Sequence, residues 1–471
     1  MNQPARPQPL TPSIEFDGDL VRRLDRPGPR YTSYPTADRF SGAFGAAHYR
    51  DAVAMRNRLG ARRALSLYVH LPFCSTVCYY CACNKIITRD PERLATYLDF
   101  LLQEIRLHSA LFTRARYVEQ LHWGGGTPTA LSDVQITRLM QGLRQHFQLA
   151  PDTLGEYSIE IDPRTVDADR IALLRALGFN RLSLGVQDFD PAVQQAVNRI
   201  QSNSVTRAAV DAARNNDFRS VSIDLIYGLP QQTVRSFNQT LNHVIALNPD
   251  RIAIYNYAHL PHLFKTQRRI DAAALPTPAT KLDILAQCIE RLVAAGYVYI
   301  GMDHFAKPHD DLAIAQRQGR LHRNFQGYST HADCDLIGLG VSAIGAIGPS
   351  YSQNEKNLDA YYAHLAAGQL PIQRGIALTM DDLLRRTVIH SLMCQAELSM
   401  SAVEQAYPIT FAEYFATEMQ ALEALEREDL ITLEPDWINV TLKGRLLIRN
   451  IAMVFDRHLQ QPTSLRYSKT I

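Results

Sequence analysis

The sequence predicts an α/β protein built on a partial parallel (β/α)6 barrel, with an N-terminal arm and a small, mainly helical C-terminal domain. Three observations carry that reading. Six short apolar, β-rich runs recur between about residues 64 and 261, each followed by a helical pattern. In each run the apolar residues come first, and glycine or polar residues gather near the C-terminal end, where a parallel barrel builds its active site. From about residue 380 this alternation gives way to helices.

Residues 1–48 form the arm. Four prolines in the first twelve positions argue against helix or central strand there, and the lack of an apolar run argues against a secretory signal, so a cytoplasmic location is expected. In RRLDRPGPRYTSYPTADRF (22–40), Tyr31, Tyr34 and Phe40 alternate with Arg26, Arg30 and Arg39. Such a segment could dock over a site and present guanidinium groups to an anion, or could simply pack its tyrosines as a surface arm.

The body spans residues 49–375. Its β-rich runs are ALSLYVHLPF (64–73), VEQLHWGGG (118–126), EYSIEIDP (156–163), RLSLGVQ (181–187), SVSIDLIYGLP (220–230) and RIAIYNYAHLP (251–261). Glu160 and Asp162 are two apart and share one face of a strand. A helical pattern over 281–297 then leads through YVYIGMDHF to the glycine-rich IGLGVSAIGAIG. Residues 376–471 read as helices DDLLRRTVIHSLMC and TFAEYFATEMQALEALERE, followed by a strand pair around a turn and another helix, a winged-helix-like module.

Composition narrows the function. With 49 basic and 47 acidic residues in 471, the chain has no overall polyanion-binding character, and the C-terminal module lacks a basic recognition face, so no nucleic-acid partner is expected. The longest uncharged apolar stretch, Leu336 to Pro349, is short and broken by glycine, which predicts no membrane span.

The chemistry is concentrated in cysteine. Four of seven cysteines fall within ten residues, at 74, 78, 81 and 83, directly after the first β-rich run. An odd number without a secretory signal argues against a disulfide framework. Cys74, Cys78 and Cys81, spaced C-x3-C-x2-C, can hold three irons of a [4Fe–4S] cube and leave the fourth open to a ligand. Zinc held by Cys74, Cys78, Cys81 and Cys83 is the alternative, although zinc ribbons usually pair two separated knuckles. Cys288, Cys334 and Cys394 are scattered in apolar surroundings and read as buried small hydrophobes.

The cysteine spacing followed by GGGTP (124–128) resembles the radical S-adenosylmethionine superfamily. VHLPFCSTVCYYCACNK, HWGGGTPT, EIDPRT, GFNRLSLGVQDFD, VNRIQ, DLIYGLP, YNYAHLP, RNFQGYST, GLGVSAIG and the N-terminal PGPRYTSYPTA together resemble its oxygen-independent coproporphyrinogen III oxidase family, across residues 26–348. The resemblance implies a barrel of radical S-adenosylmethionine type with Cys74, Cys78 and Cys81 ligating the cluster. Tyr68, Gly125, Glu160, Ala258 and Ile344 then match positions lining the cofactor sites. Gly126, Thr127, Gln187, Arg199 and Asp224, with Tyr80, match positions for a second S-adenosylmethionine. At position 80 the family often has Phe, so the tyrosine adds a hydroxyl that needs a partner. His70 and Cys83 match positions associated with activity.

The implied reaction is the oxidative decarboxylation of two propionates of coproporphyrinogen III to vinyls by a 5′-deoxyadenosyl radical, giving protoporphyrinogen IX in haem biosynthesis. It uses two S-adenosylmethionine molecules per substrate. A low-potential electron donor, a final electron acceptor and a monomeric protein are also implied. Because the substrate carries four propionates, Arg26, Arg30, Tyr31 and Arg39 become candidate substrate contacts. A haem chaperone of the same superfamily is the rival reading. Those relatives typically lack both a cysteine at the position of Cys83 and the PGPRYTSYPTA segment. An anaerobic haem-degrading methyltransferase is a more distant third.

Overall fold

The computed structural model describes residues 14–58, 63–112, 117–332, 334–460, 467 and 469; the prolines of the first twelve positions lie outside them. Two compact units divide the chain. One draws on Met1–Arg39, Leu285–Ala332 and Leu378–Ile471, the other on Phe40–Ile284 and Asp333–Ala377. Neither is a single stretch, unlike the division at residues 48 and 375 expected from the sequence.

The second unit is organised on one sheet. Its main strands are β1 (Leu65–Leu71), β2 (Tyr117–Gly125), β3 (Glu156–Ile161), β4 (Arg181–Gln187), β5 (Ser220–Tyr227), β6 (Arg251–Asn256), β7 (Asp335–Leu339), β8 (Ile344–Ala346), β9 (Ser350–Asn354) and β10 (Ile372–Ala377). Across this unit they lie in the order β6-β5-β4-β3-β2-β1-β7-β8-β9-β10. The six runs read from the sequence are β1–β6, each parallel to the next, which is the partial (β/α)6 barrel. All but one residue of β1 is buried, as expected for a strand with both faces covered.

The glycine-rich stretch supplies more than a connection. β7 adds a further parallel strand on the free edge of β1, with Leu65 opposite Asp335 and Val69 opposite Leu339. β8, β9 and β10 extend that edge in antiparallel fashion.

The helices between strands start where short polar side chains cap them. Asp90 accepts from the Glu92 N–H ahead of Pro91–Leu111, whose first position is a proline. Ser132 with Gln135 and Thr233 with Ser236 form capping boxes for Asp133–His146 and Val234–Leu247. The last helix closes at Asn248, which turns left-handed at φ 49°. Along Pro91–Leu111 the buried Leu94, Leu98, Leu101 and Ile105 repeat at helical spacing and form the inward stripe. Glu104 on the same helix is fully buried and accepts from the Gly340 N–H at 2.7 Å, Asn354 Nδ2 at 2.6 Å and the Tyr361 hydroxyl at 2.7 Å, fastening the β7–β9 edge to the helix.

The first unit has its own core, in which Tyr31 and Tyr34 pack with Leu384, Val388, Leu392, Phe411, Phe415 and Phe455. Its helix Met380–Gln395 is opened by a Thr379–Asp382 capping box. A three-stranded sheet has Trp437–Val440 between Glu397–Ser399 and Ile431–Glu434, so the expected strand pair has a third member too short to show alternation in the sequence. The Tyr31 ring is completely buried, and its hydroxyl donates to Asp456 at 2.9 Å. Arg30 pairs with Asp303, Arg39 with Asp38 and the His458 carbonyl, and Arg26 reaches the Asn450 carbonyl.

Cys288 and Cys394 are buried, as expected. Cys334 is not: it is half-buried just ahead of β7, with its thiol 3.9 Å from Glu119 Oε2 on β2, rather than part of the core packing. Among the described residues no helix is long and apolar enough to cross a membrane.

Candidate active site

The cysteine loop leaves the C-terminal end of β1 and is held from several sides. Residues Phe73–Cys74 pair with Ile86–Ile87, closing the loop at its base. The Val197 carbonyl accepts from the Tyr79 N–H at 3.0 Å, and the Val77 carbonyl accepts from Asn198 Nδ2 at 2.7 Å. Gln267 Nε2 donates to the Tyr80 carbonyl, and Lys85 Nζ and the Thr266 hydroxyl donate to that of Cys81. Thr127 Oγ1 lies 3.5 Å from Cys74 Sγ and Arg199 Nη1 3.6 Å from Cys78 Sγ, so both of these thiols face a donor. The Cys83 hydrogen bond and then Lys85, against desolvation, bring the Cys81 thiol down to about 6. The same bond, then burial, pushes Cys83 up. Desolvation raises Cys74 to about 11.

These thiols line an open cavity of about 180 Å³. Its other walls come from the C-terminal ends of β2 to β5: Gly125, Gly126 and Thr127, then Glu160, Gln187 with Arg199, and Asp224. Tyr80 also faces it. Every sequence-predicted cluster ligand is therefore brought together with Cys83 and eight of the predicted cofactor contacts. Tyr68, His70, Ala258 and Ile344 are not among the lining residues. Ala258 follows β6, and Ile344 starts β8.

Tyr68 and His70 sit behind the wall. His70 Nε2 is 3.0 Å from the Asn84 carbonyl, which can only accept, so that nitrogen carries the proton. Burial lowers the His70 pKa, leaving the neutral ring to accept at Nδ1 from the Tyr68 hydroxyl at 3.0 Å. The ring lies under Gly125, where φ is +114° and an added Cβ would come within 2.6 Å of it.

Electrostatics differ sharply along the rim. Desolvation would raise Glu160, but hydrogen bonding and charge from His122 and the Gly125 N–H outweigh it and hold the carboxyl below its usual value. At Asp224 desolvation dominates: the Ser183 hydroxyl at 2.9 Å and the charges of His122 and Arg199 offset it only in part, Glu160 adds to it, and the carboxyl is pushed up to about 7. Sequence reasoning left Lys85, Arg164 and Ser183 out of the site and treated Asp162 only as a companion of Glu160. Asp162 accepts from Arg164 and, at 3.1 Å, from Arg199, and these two outweigh its burial to keep it ionised. The signal was present in EIDPRT, where Asp162 caps the turn that carries Arg164.

The residues present fit an iron–sulfur cluster with an amino-acid nucleotide beside it. Three thiols share one loop, and Cys74 and Cys78 face donors that suit thiolates. Gln187 Oε1 and Arg199 Nε are buried without a hydrogen-bond partner among the described residues, and Gln187 is held at φ 73° where β4 breaks register. Gly124 and Gly126 leave no room for a Cβ, which would come within 2.7 Å of Glu160 Oε1 and of the Pro72–Phe73 backbone respectively.

Comparison with known proteins gives the same picture. Residues 68–244 match the Radical SAM superfamily and residues 378–447 the HemN C-terminal domain. The oxygen-independent coproporphyrinogen III oxidase of Pseudomonas aeruginosa is 52% identical over 459 residues, covering 98% of this chain and 99% of that protein. The Escherichia coli K12 protein of the same name is 51% identical, covering 97% and 99%. The solved structure of coproporphyrinogen III oxidase (HemN) from Escherichia coli, described as a radical SAM enzyme, superposes with a TM-score of 0.90 over 95% of this chain and 100% of that one.

Proposed function

The chain belongs to the oxygen-independent coproporphyrinogen III oxidases of the radical S-adenosylmethionine superfamily, and on that basis we propose how its own residues serve the oxidative decarboxylation of coproporphyrinogen III to protoporphyrinogen IX. Each propionate loses CO2, one hydrogen atom and one electron as it becomes a vinyl group. The cluster with bound S-adenosylmethionine supplies the one-electron cleavage that yields the hydrogen-abstracting 5′-deoxyadenosyl radical.

Cys74, Cys78 and Cys81 would hold the cluster. Glu160, ionised and locked by His122 and Gly125, is placed to accept from an ammonium group. Asp224 with Ser183 offers a pair of acceptors suited to hydroxyls, and the unpaired atoms of Gln187 and Arg199 point to polar contacts a bound ligand would complete. His70 donates to the Asn84 carbonyl and so fixes the backbone next to Cys83. Cys83 remains a thiol on the cavity wall beside the ligands. Arg26, Arg30 and Arg39 stay candidates for the propionates, although each now has partners within its own unit. An electron donor of low potential and a final acceptor complete the electron balance; cytoplasmic location and a monomer accord with the free thiols and the family.

The observation that carries this reading is the single cavity in which the three thiols meet Glu160, Arg199 and Asp224. The test is an anaerobic assay of the reconstituted protein with coproporphyrinogen III. Formation of protoporphyrinogen IX with two 5′-deoxyadenosines per molecule is expected. Stable haem binding without either product would establish the chaperone instead.

A further inference from the structure

Three segments that brace the cysteine loop from outside also carry exposed apolar and cationic side chains, and we propose that they form the docking surface for an acidic one-electron carrier protein. The proposal rests on the radical S-adenosylmethionine reading, because only that chemistry requires an electron delivered to this loop.

Each segment is tied to the loop directly. Ile87, 43% exposed, pairs with Cys74 in the strand that closes the loop. Ile200, 62% exposed, follows the Val197–Asn198 stretch whose atoms hold Tyr79 and Val77. Leu263, 55% exposed, leads into the Thr266–Gln267 pair that binds the Cys81 and Tyr80 carbonyls. Scattered apolar residues on a surface are ordinary, but these three all lie on segments that brace one loop.

The third segment also carries the charge. Lys265, Arg268 and Arg269 are exposed, and the Arg269 guanidinium lies 5.3 Å from the centre of the Tyr79 ring, next to Cys78. Asp271, the acid in that segment, points at the Ala273 N–H. Ala82 and Asn84 are exposed on the loop itself, so a partner seated here would approach the ligand-bearing backbone directly. Exposed apolar and cationic side chains together suit a small, transient electron-transfer contact, in which charge governs the rate of encounter more than the affinity. The complementary surface is acidic.

The test compares two reductants of the reconstituted protein, reduced flavodoxin as an acidic carrier and dithionite as a small chemical one. Cluster bleaching by flavodoxin should slow about tenfold or more as salt rises from ~0.02 to ~0.3 M, since exposed charges are screened over that range. Lys265→Glu with Arg268→Glu should lower the low-salt rate about tenfold again. Titration of labelled flavodoxin without substrate should show weaker binding to that variant. Leu263→Ser should slow reduction with little change in salt dependence. Dithionite should bleach every variant at the wild-type rate, with unchanged KM for coproporphyrinogen III. Flavodoxin reducing the charge variant as fast as wild type would overturn the proposal. So would a raised KM under dithionite, which would assign these cations to the substrate's propionates. Wild type giving no 5′-deoxyadenosine with dithionite would instead overturn the reading beneath it.

Discussion

His122 Nε2 lies 3.1 Å from Glu160 Oε1, and the imidazole that makes this contact is stacked on Tyr68 at 5.8 Å and 15°. Its other nitrogen meets the Ser158 hydroxyl, so three side chains on β1, β2 and β3 fix one carboxylate. A side chain between two partners has little rotamer freedom left to lose when a ligand arrives. His122 thus acts through Glu160, as a positioning residue.

Removing that positioning should weaken cofactor binding without unfolding the barrel. A hydrogen bond to a charged group is worth about 1.5–3 kcal/mol, or roughly 10–100-fold in affinity. Glu160→Gln should raise the Kd for S-adenosylmethionine by that factor, and His122→Ala by about tenfold, both measured calorimetrically on reconstituted protein. Wild-type affinity in His122→Ala would show that Glu160 needs no support.

Asp224 gives a pH signature. Its folded pKa of about 7 lies above the ~3.9 of an unfolded aspartate, so the folded state binds more protons between these values and stability falls as pH rises through that window. Above pH 7 the full penalty remains. Asp224→Asn, which carries no charge at any pH, should therefore raise the Tm of cluster-free protein more at pH 8 than at pH 5. An equal change at both values would place the carboxyl in an ordinary solvated state.

The cysteine group should divide three to one. Anaerobically purified protein is expected to carry about four irons per chain. Replacing Cys74, Cys78 or Cys81 by Ser should abolish the cluster absorbance, whereas Cys83→Ser should keep most of it and lose turnover. Colourless protein with one zinc would exclude the whole scheme, and loss of iron in Cys83→Ser would make that thiol a ligand.

What the sequence reveals follows from the range of each interaction. β1–β6 were legible because each apolar run is local and bounded by its own turn, and the cysteine loop because its spacing is itself the ligand geometry. β7 was not, since IGLGVSAIGAIG becomes a strand only against β1, some 270 positions earlier. Tyr31 looked like part of a cover, but its hydroxyl partner, Asp456, stands 425 residues away in sequence. Lys85 and Ser183 carry no motif of their own; their place on the cavity wall depends on how the loop and β4 fold.

Glu104 tests how firmly the β7–β9 edge is attached. Truncating a buried, fully paired charge leaves its partners unsatisfied and commonly costs about 3–5 kcal/mol. Glu104→Ala strands the Gly340 N–H and the Tyr361 hydroxyl and leaves Asn354 Nδ2 to its bond with the Gly340 carbonyl at 2.9 Å. Urea unfolding should show a loss of that size with the cysteine loop's iron-binding capacity retained at low denaturant. A cost under about 1 kcal/mol would mean that water replaces the carboxylate readily.

Gly124 and Gly126 differ in what an added methyl group meets, and this separates cluster assembly from cofactor binding. At Gly124 the obstacle is the Glu160 carboxylate, a side chain that can rotate away and lose its contact with His122. At Gly126 it is backbone of Pro72 and Phe73, which cannot give way without moving the strand that leads into Cys74. The Gly126 N–H also donates to the Leu71 carbonyl at 2.8 Å, so the two chain segments are locked together at this point. Gly124→Ala should therefore retain its iron and bind S-adenosylmethionine about 10–100-fold more weakly, by the same bond energy as Glu160→Gln. Gly126→Ala should lose iron occupancy first, read as a falling cluster absorbance per chain. If Gly126→Ala kept full iron while Gly124→Ala lost it, the cysteine loop would be set by the Glu160 carboxylate rather than by the contact between the two backbones.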